Sequence, residues 1–536
     1  MLKSITGGEA TALTLHNMGV KTIYGLPGVQ NDWLYNAFYD HREKFRIIHT
    51  RHEQGAAYMG LGHALATDEP AVFNVVPGPG LLNASAAMST AYALNAKLFC
   101  LTGQINSQAI GKDWGELHEI NDQLTIIRSL TKWATRANNP AEIPGLIQEG
   151  FRQMLSGRPR PAGLEIPMDV LADNAPVDLT VQTHDVRAPA LDEEGIENAA
   201  RLLGKATSPM IFTGSGAQGC STLVRQLAET LQAPVVGYRT GMGVMDARSY
   251  LSLHLPAAKE VWASADVVLA IGSNMRVPAR KWIKGHSPEI IRIDVDPTTH
   301  SKFNTPKVAI TARAEQALPA LLEQLDRYNI KRASREHELL EVKANWEQQV
   351  SVLEPQMTFL KIIREELGED GIFVDELTQI GFASRIAYPV YKPRTYISTG
   401  YQGTLGYGFP TALGVKVARP DVPVISVTGD GGFMFSMQEL ATAVQQKIPL
   451  VTLLFNNNSY GNVQQMQVNN YGGRVIASDL HNPDFCKLVE SFGAQAIKAE
   501  TPEQVRRAIR AGISTTDGPT VIEIPVGDMP SIDQFR

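Results

Sequence analysis

The chain has 536 residues, several times the ~150 of a typical domain, so two or three hydrophobic cores are expected rather than one. Its 43% hydrophobic and 19% charged residues are those of an ordinary globular protein and exclude a disordered, coiled-coil or fibrous chain. Forty-nine Lys and Arg against 55 Asp and Glu leave a net charge of −6 with no basic block, a poor balance for binding nucleic acid.

Along the chain, short apolar runs alternate with helical patterns. TIYGLPG, AVFNVVPGPG and KLFCLTGQ read as buried strands that end in glycine turns, with the helical stretches GEATALTLHNMGV and HEQGAAYMGLGHALAT between them. This alternation predicts a doubly wound parallel sheet for a first domain over residues 1–170. A proline-rich, aperiodic linker is expected over roughly 172–192. A second α/β domain is expected over 190–328, with strands in PMIFTGSG, APVVGY, ADVVLAIGS and IIRIDVDP and a closing helix EQALPALLEQLDRY. The charged helical connector KRASREHELLEVKANWEQQV leads to a third domain over 355–528, with strands in GIFVDE, VPVISVTGDGG, PLVTLLFNNN and PTVIEIPV. The predicted fold class is therefore α/β, with three doubly wound parallel-sheet domains.

The three cysteines, Cys100, Cys220 and Cys486, are too far apart for a disulfide framework or a cysteine zinc site. The first twenty residues lack the apolar stretch of a signal peptide, and no apolar run approaches the ~20 residues that span a bilayer. A soluble, cytoplasmic protein without a membrane partner is the expectation.

Chemistry concentrates in the third domain. Gly429-Asp430-Gly431-Gly432 follows one strand, and Asn456-Asn457-Asn458 follows the next, one helix later. Both segments thus return to the carboxyl edge of a parallel sheet, where ligands bind. Glycines let backbone amides approach a diphosphate, while an Asp and an Asn carbonyl are hard oxygen ligands suited to Mg²⁺.

This pairing resembles the diphosphate–Mg²⁺ motif of thiamine diphosphate enzymes. The resemblance covers nearly the whole chain, in the domain order of the acetohydroxyacid synthase and pyruvate decarboxylase superfamily. It implies that Asp430, Asn457 and the Ser459 carbonyl hold Mg²⁺. It also implies that Gly431, Gly432 and a Thr378-Gln379 loop cradle the diphosphate, with Tyr460 beside them. In the first domain Arg51-His52-Glu53-Gln54-Gly55 resembles the family segment whose glutamate hydrogen-bonds N1′ of the cofactor pyrimidine. Glu53 would favour the imino tautomer that deprotonates C2 of the thiazolium. Gly403-Thr404-Leu405-Gly406 matches the position that folds the cofactor into a V, with Leu405 as the wedge and the Gly403 carbonyl as an acceptor. Pro27-Gly28 and the segment Gly78 to Asn83 match family loops near the pyrimidine. In this family the glutamate and the Mg²⁺ motif of one site come from different subunits, so a homodimer or homotetramer is implied.

Substrate choice must come from other positions. Gln30 and Asn31 follow the Pro-Gly turn and are expected to face the reactive carbon with His118, whose imidazole could give or take a proton. Met466 stands where acetohydroxyacid synthases carry tryptophan, and Leu117-His118-Glu119 where they carry Phe-Gln-Glu. The chain looks closer to a branch with guanidino-2-oxopentanoate decarboxylase and cyclohexane-1,2-dione hydrolase. A lone Gly214-Ser215-Gly216-Ala217-Gln218-Gly219 motif follows the first strand of the second domain, but the next strand ends in Arg239-Thr240 rather than an acid, against NAD. FAD in that domain is left open.

The implied function is a decarboxylase or carboligase of a small, polar 2-oxo acid, working through a C2 carbanion and an enamine. Two alternatives stay open, C–C cleavage without decarboxylation and a non-catalytic cofactor-binding subunit. Glu53 together with Leu405 argues against the last.

Overall fold

The computed structural model describes residues 2–181 and 190–535. The first domain contains β1 (Lys3–Thr6), β2 (Thr22–Gly25), β3 (Arg46–His49), β4 (Ala71–Val75), β5 (Leu98–Gln104), β6 (Trp133–Arg136), β7 (Ala162–Pro167) and β8 (Asn174–Val177). Six of them form a parallel sheet in the order β3-β2-β4-β5-β7-β6. The central domain has β9 (Met210–Thr213), β10 (Val235–Gly237), β11 (Ser252–His254), β12 (Val267–Ile271), β13 (Glu289–Asp294) and β14 (Val308–Thr311), in the order β11-β10-β9-β12-β13-β14. The third has β15 (Ile372–Val374), β16 (Tyr396–Ile397), β17 (Val424–Gly429), β18 (Val451–Asn456), β19 (Gln495–Lys498) and β20 (Thr520–Pro525), in the order β16-β15-β17-β18-β20-β19.

Every expected strand forms, and the α/β class holds in all three units. The first and third sheets share one strand order when each is numbered from its own first strand, whereas the central sheet has the other doubly wound order. A common topology without a residue-level repeat fits two copies that now agree only in backbone path. In both sheets the chain reverses direction beside the first strand, between β2 and β4 and between β15 and β17. Crevices open at such points, and the residues with chemistry sit there.

The expected linker is corrected at its start. Residues 174–177 form β8, which pairs antiparallel with β1 in the register Lys3↔Val177 to Thr6↔Asn174. Residues 182–189 of that linker lie outside the described residues. Its end passes into the helix Glu193–Lys205, whose first turn is capped by Asp192.

The first and third domains meet through two small-residue helices, Glu53–Thr67 and Gly408–Ala418. At Gly62 a Cβ would stand 2.0 Å from the Thr411 carbonyl, and at Gly414 one would stand 1.9 Å from the Met59 carbonyl. Only glycine lets the two backbones come this close. Tyr58 and Tyr407 pack edge to face beside the crossing, with centroids 5.6 Å apart.

Candidate active site

The C-terminal half of the site forms where β17 and β18 end. Gly429 closes β17, and Asp430 opens a short helical turn. Leu377, Thr378, Gln379, Asp430, Asn457, Ser459 and Gly461 line one pocket. The expected Thr378-Gln379 loop is instead a helix start. Thr378 caps the helix Gln379–Ala387, its hydroxyl accepting from the Gly381 amide at 2.8 Å. The pocket therefore faces the positive end of a helix, which suits an anionic group.

Four features bear on whether a diphosphate and a hard cation fit. At Gly431 a Cβ would stand 2.5 Å from the Tyr460 ring, and at Gly432 one would stand 2.9 Å from Glu376 Oε1, so this turn accepts only glycine. Gln379 Oε1 is buried without a hydrogen-bond partner. Asp430 is 2% exposed, and burial pushes its carboxyl above the ordinary carboxylate range. Asn457 Nδ2 donates to Ser459 Oγ at 2.8 Å, which turns its Oδ1 the other way. Oxygen donors with little positive charge among them are what Mg²⁺ takes. Among the described residues no group of three or more His, Cys, Asp and Glu gathers, so a cation here relies on amide and main-chain oxygens as well as Asp430.

Sequence reasoning missed Asn482. Its Nδ2 donates to Asp430 Oδ2 at 2.7 Å and also lies 3.1 Å from Asn456 Oδ1 and 3.2 Å from Asn458 Oδ1, tying the two motifs together. It lies far along the chain, in a loop with no recognisable spacing. Glu376, fully buried, was read only as the end of a strand. Its Oε1 accepts from the Gly406 amide at 2.6 Å, which couples the Leu405 turn to the glycine turn at Gly432. Gly403 and Gly406 both adopt positive φ, 62° and 75°, so the turn before Gly408–Ala418 needs its glycines.

The N-terminal half forms at the ends of β2, β3 and β4. Glu53 opens its helix, and His52 caps it through Nδ1 accepting from the Gln54 amide at 3.1 Å. Glu53 Oε2 accepts from Asn83 Nδ2 at 3.0 Å. Gln30 is buried and donates from Nε2 to the Leu117 carbonyl at 2.7 Å, while its Oε1 meets His118 Nδ1 at 3.0 Å. Pro27 and Val29 are exposed beside them. Asn31 departs from expectation. Its Oδ1 accepts from Gly28 N, and its Nδ2 donates to Leu26 O and to Asn74 Oδ1. It is fully buried and builds the Pro-Gly turn instead of facing a substrate.

The pocket around Asp430 and Asn457 is lined by third-domain residues alone, and Glu53 is not among them. In the central domain, the glycines of the lone Gly214-Ser215-Gly216 motif are explained by packing. A Cβ at Gly214 would stand 2.1 Å from the Gly272 carbonyl, and one at Gly216 would stand 2.8 Å from Gly272 Cα. Those glycines are needed whether or not a dinucleotide binds. Among the described residues no helix is long and apolar enough to cross a membrane.

Three family models match the chain: "Thiamine pyrophosphate enzyme, N-terminal TPP binding domain" over residues 5–126, its central domain over 196–321, and its C-terminal TPP binding domain over 378–524. The chain is 33% identical to the probable 2-ketoarginine decarboxylase AruI of Pseudomonas aeruginosa, over 97% of this chain and 94% of that one. It is 32% identical to a probable acetolactate synthase large subunit of Methanocaldococcus jannaschii, over 97% and 92%. It is 30% identical to the acetolactate synthase isozyme 3 large subunit of Escherichia coli, over 94% and 91%.

Proposed function

Because the chain belongs to the thiamine diphosphate enzymes, among relatives of the acetolactate synthase type, we propose that it is a Mg²⁺-dependent decarboxylase or carboligase of a small, polar 2-oxo acid. We further propose that it acts as a homodimer or larger homo-oligomer whose sites are completed between subunits, since Glu53 is not among the residues that line the pocket around Asp430 and Asn457. When bound, thiamine diphosphate supplies a nucleophilic carbon and an electron sink for the departing CO₂.

The chain's own residues do the rest. Asp430, Asn457 and the Ser459 carbonyl would hold Mg²⁺, and Gly431, Gly432 and the helix start at Thr378 and Gln379 would hold the diphosphate, with Tyr460 walling the turn. Glu53, steadied by Asn83, holds a proton against the pyrimidine N1′. Leu405 would pack against the bound cofactor, and the Gly403 carbonyl would offer it a hydrogen-bond acceptor. Gln30 and His118 face the substrate, where Pro27 shapes the rim.

The observation that carries this reading is the single pocket in which Asp430, Asn457 and Ser459 meet the N-terminus of a helix. It is tested by calorimetric titration of the protein with thiamine diphosphate, with and without Mg²⁺, followed by CO₂ release from a panel of 2-oxo acids. The panel includes pyruvate, glyoxylate, benzoylformate and the 2-ketoarginine named for the Pseudomonas relative. Binding that requires the cation, with turnover of at least one oxo acid, is expected. Tight binding without a divalent cation, or saturated protein that turns over none of them, would overturn it.

A further inference from the structure

The start of the helix that carries Glu53 is held from another domain. Glu439 is fully buried on the short helix Glu439–Gln445, which follows the Asp430 turn. Its Oε1 accepts from the amides of Arg51 at 3.2 Å and His52 at 3.0 Å. Its Oε2 accepts from the Arg51 amide at 3.1 Å and from the Thr442 hydroxyl at 2.6 Å. These amides belong to the two residues immediately before Glu53. Beyond them, Arg51 Nη2 donates to Gln445 Oε1 at 2.9 Å, so the same short helix takes the side chain as well.

Amides at a helix start lack partners within the helix and are usually capped by a neighbouring side chain. Here His52 caps only Gln54, and the amides ahead of it are left to a carboxylate nearly four hundred residues away. The fit is close. A Cβ at Gly55 would stand 2.5 Å from Glu439 Oε1, so the residue two places after Glu53 is glycine because Glu439 is there. Desolvation alone disfavours a buried carboxylate and pushes Glu439 above the usual carboxylate range. A Glu or Gln at the third helical position would serve the His52 amide locally, but that position is Gly55. What the remote carboxylate adds is registry, because it fixes the first turn of this helix against the segment that begins at Asp430.

We propose that Glu439 is a positioning residue for Glu53, setting from the C-terminal domain where the Glu53 carboxylate stands. The inference rests on the proposed function, in which Glu53 holds the proton at N1′. Misplacement by about 1 Å is enough to cost about a hundredfold in a pre-organised site.

The test uses the full-length protein loaded with Mg²⁺ and thiamine diphosphate. Wild type, Glu439→Ala, Glu439→Gln, Glu53→Gln and the double variant Glu53→Gln/Glu439→Ala are compared in three ways. Cofactor affinity is read by tryptophan fluorescence, the exchange rate of the cofactor C2 proton by quenched NMR, and kcat and KM by CO₂ release. Glu439→Ala is expected to bind the cofactor within about threefold of wild type, because Asp430 and Asn457 are intact. Its exchange rate per bound cofactor and its kcat are expected to fall at least tenfold, with KM within about twofold. Glu439→Gln keeps an acceptor for the amides and is expected to recover part of both losses. The double variant is expected to exchange no more slowly than Glu53→Gln alone, because both act through one carboxylate. An unchanged exchange rate in Glu439→Ala, or losses that multiply in the double variant, would overturn the proposal. Should Glu439→Ala not fold, Glu439→Asp carries the same comparison, since it keeps the charge and draws the carboxylate back by one methylene. Wild-type protein that binds no thiamine diphosphate would instead overturn the proposed function, and this inference with it.

Discussion

His118 Nδ1 lies 3.0 Å from Gln30 Oε1, and the other end of that amide is already committed, with Nε2 donating to the Leu117 carbonyl. An amide whose NH₂ is spent on a carbonyl presents an acceptor to the imidazole. His118 Nδ1 therefore carries the proton, and Nε2 is the basic nitrogen. Sequence alone placed the two residues near each other but could not choose the tautomer.

His118→Ala is expected to lower kcat/KM for pyruvate or glyoxylate about ten- to a hundredfold, the cost of leaving one polar group unpaired. The loss on benzoylformate is expected to be smaller. Gln30→Ala, which frees the tautomer, is expected to reproduce part of the effect. If benzoylformate outpaces the small polar acids in wild type, the preference proposed here is wrong, whatever the variants do.

Glu53→Gln is expected to bind Mg²⁺ and thiamine diphosphate as wild type does, while C2–H exchange falls at least a hundredfold, because only the proton held at N1′ is lost. Asn83→Ala, which removes the 3.0 Å hydrogen bond to Glu53 Oε2, is expected to show a smaller fall in the same direction. Equal exchange rates in wild type and Glu53→Gln would remove Glu53 from its role.

Asp430→Ala is expected to lose cofactor retention on gel filtration and to become insensitive to chelators, since the cation that links the diphosphate to the protein would lose its carboxylate ligand. Asn482→Ala frees Asp430 Oδ2 from its 2.7 Å hydrogen bond and is expected to weaken Mg²⁺ affinity by roughly tenfold. Full retention of the diphosphate by metal-free wild type would contradict both.

Glu376 gives a pH signature. Burial raises its carboxyl from an ordinary 4.5 to about 7, against hydrogen bonds from Thr428 and Gly406 that pull it down. Unfolded, the group ionises at its ordinary value; folded, it keeps its proton up to about 7. Between those values the folded state binds the extra proton, so this group's contribution to stability falls as pH rises and levels off above about 7. At about 1.4 kcal/mol per pKa unit, the whole effect is on the order of 3 kcal/mol. Glu376→Gln removes it, so the melting temperature of that variant relative to wild type is expected to be higher at pH 8 than at pH 5. Calorimetry at the two pH values checks this, and a difference independent of pH would refute it.

Much of this architecture can be read from the chain because parallel strands buried on both faces are written as contiguous apolar runs. AVFNV and VISVT are examples, and both became central strands. What escaped was short or paired at a distance. β1 and β8 are four residues each, partly exposed, and joined across the whole first domain. The site divides in the same way. The glycine turn after Gly429 and the Asn456–Asn458 run are contiguous and could be read directly. Glu439 and Asn482 work through partners far away in sequence, so nothing local marks them. Asn31 misled for a different reason, since a side chain that both donates and accepts serves a turn as readily as a ligand.

The contact of Gly62 with Thr411 and of Gly414 with Met59 divides the molecule by how freely it can change. Glu53 begins one of the crossed helices, and the Leu405 turn leads into the other, so neither segment can drift without breaking a backbone-to-backbone fit that tolerates no added methyl. Gln30 and His118 belong to segments outside that crossing, and Met466 stands half exposed on a helix with no buried residue. New substrates in this lineage are therefore expected to be acquired through the loops and the outer helix, around a chemical core that history has little room to edit.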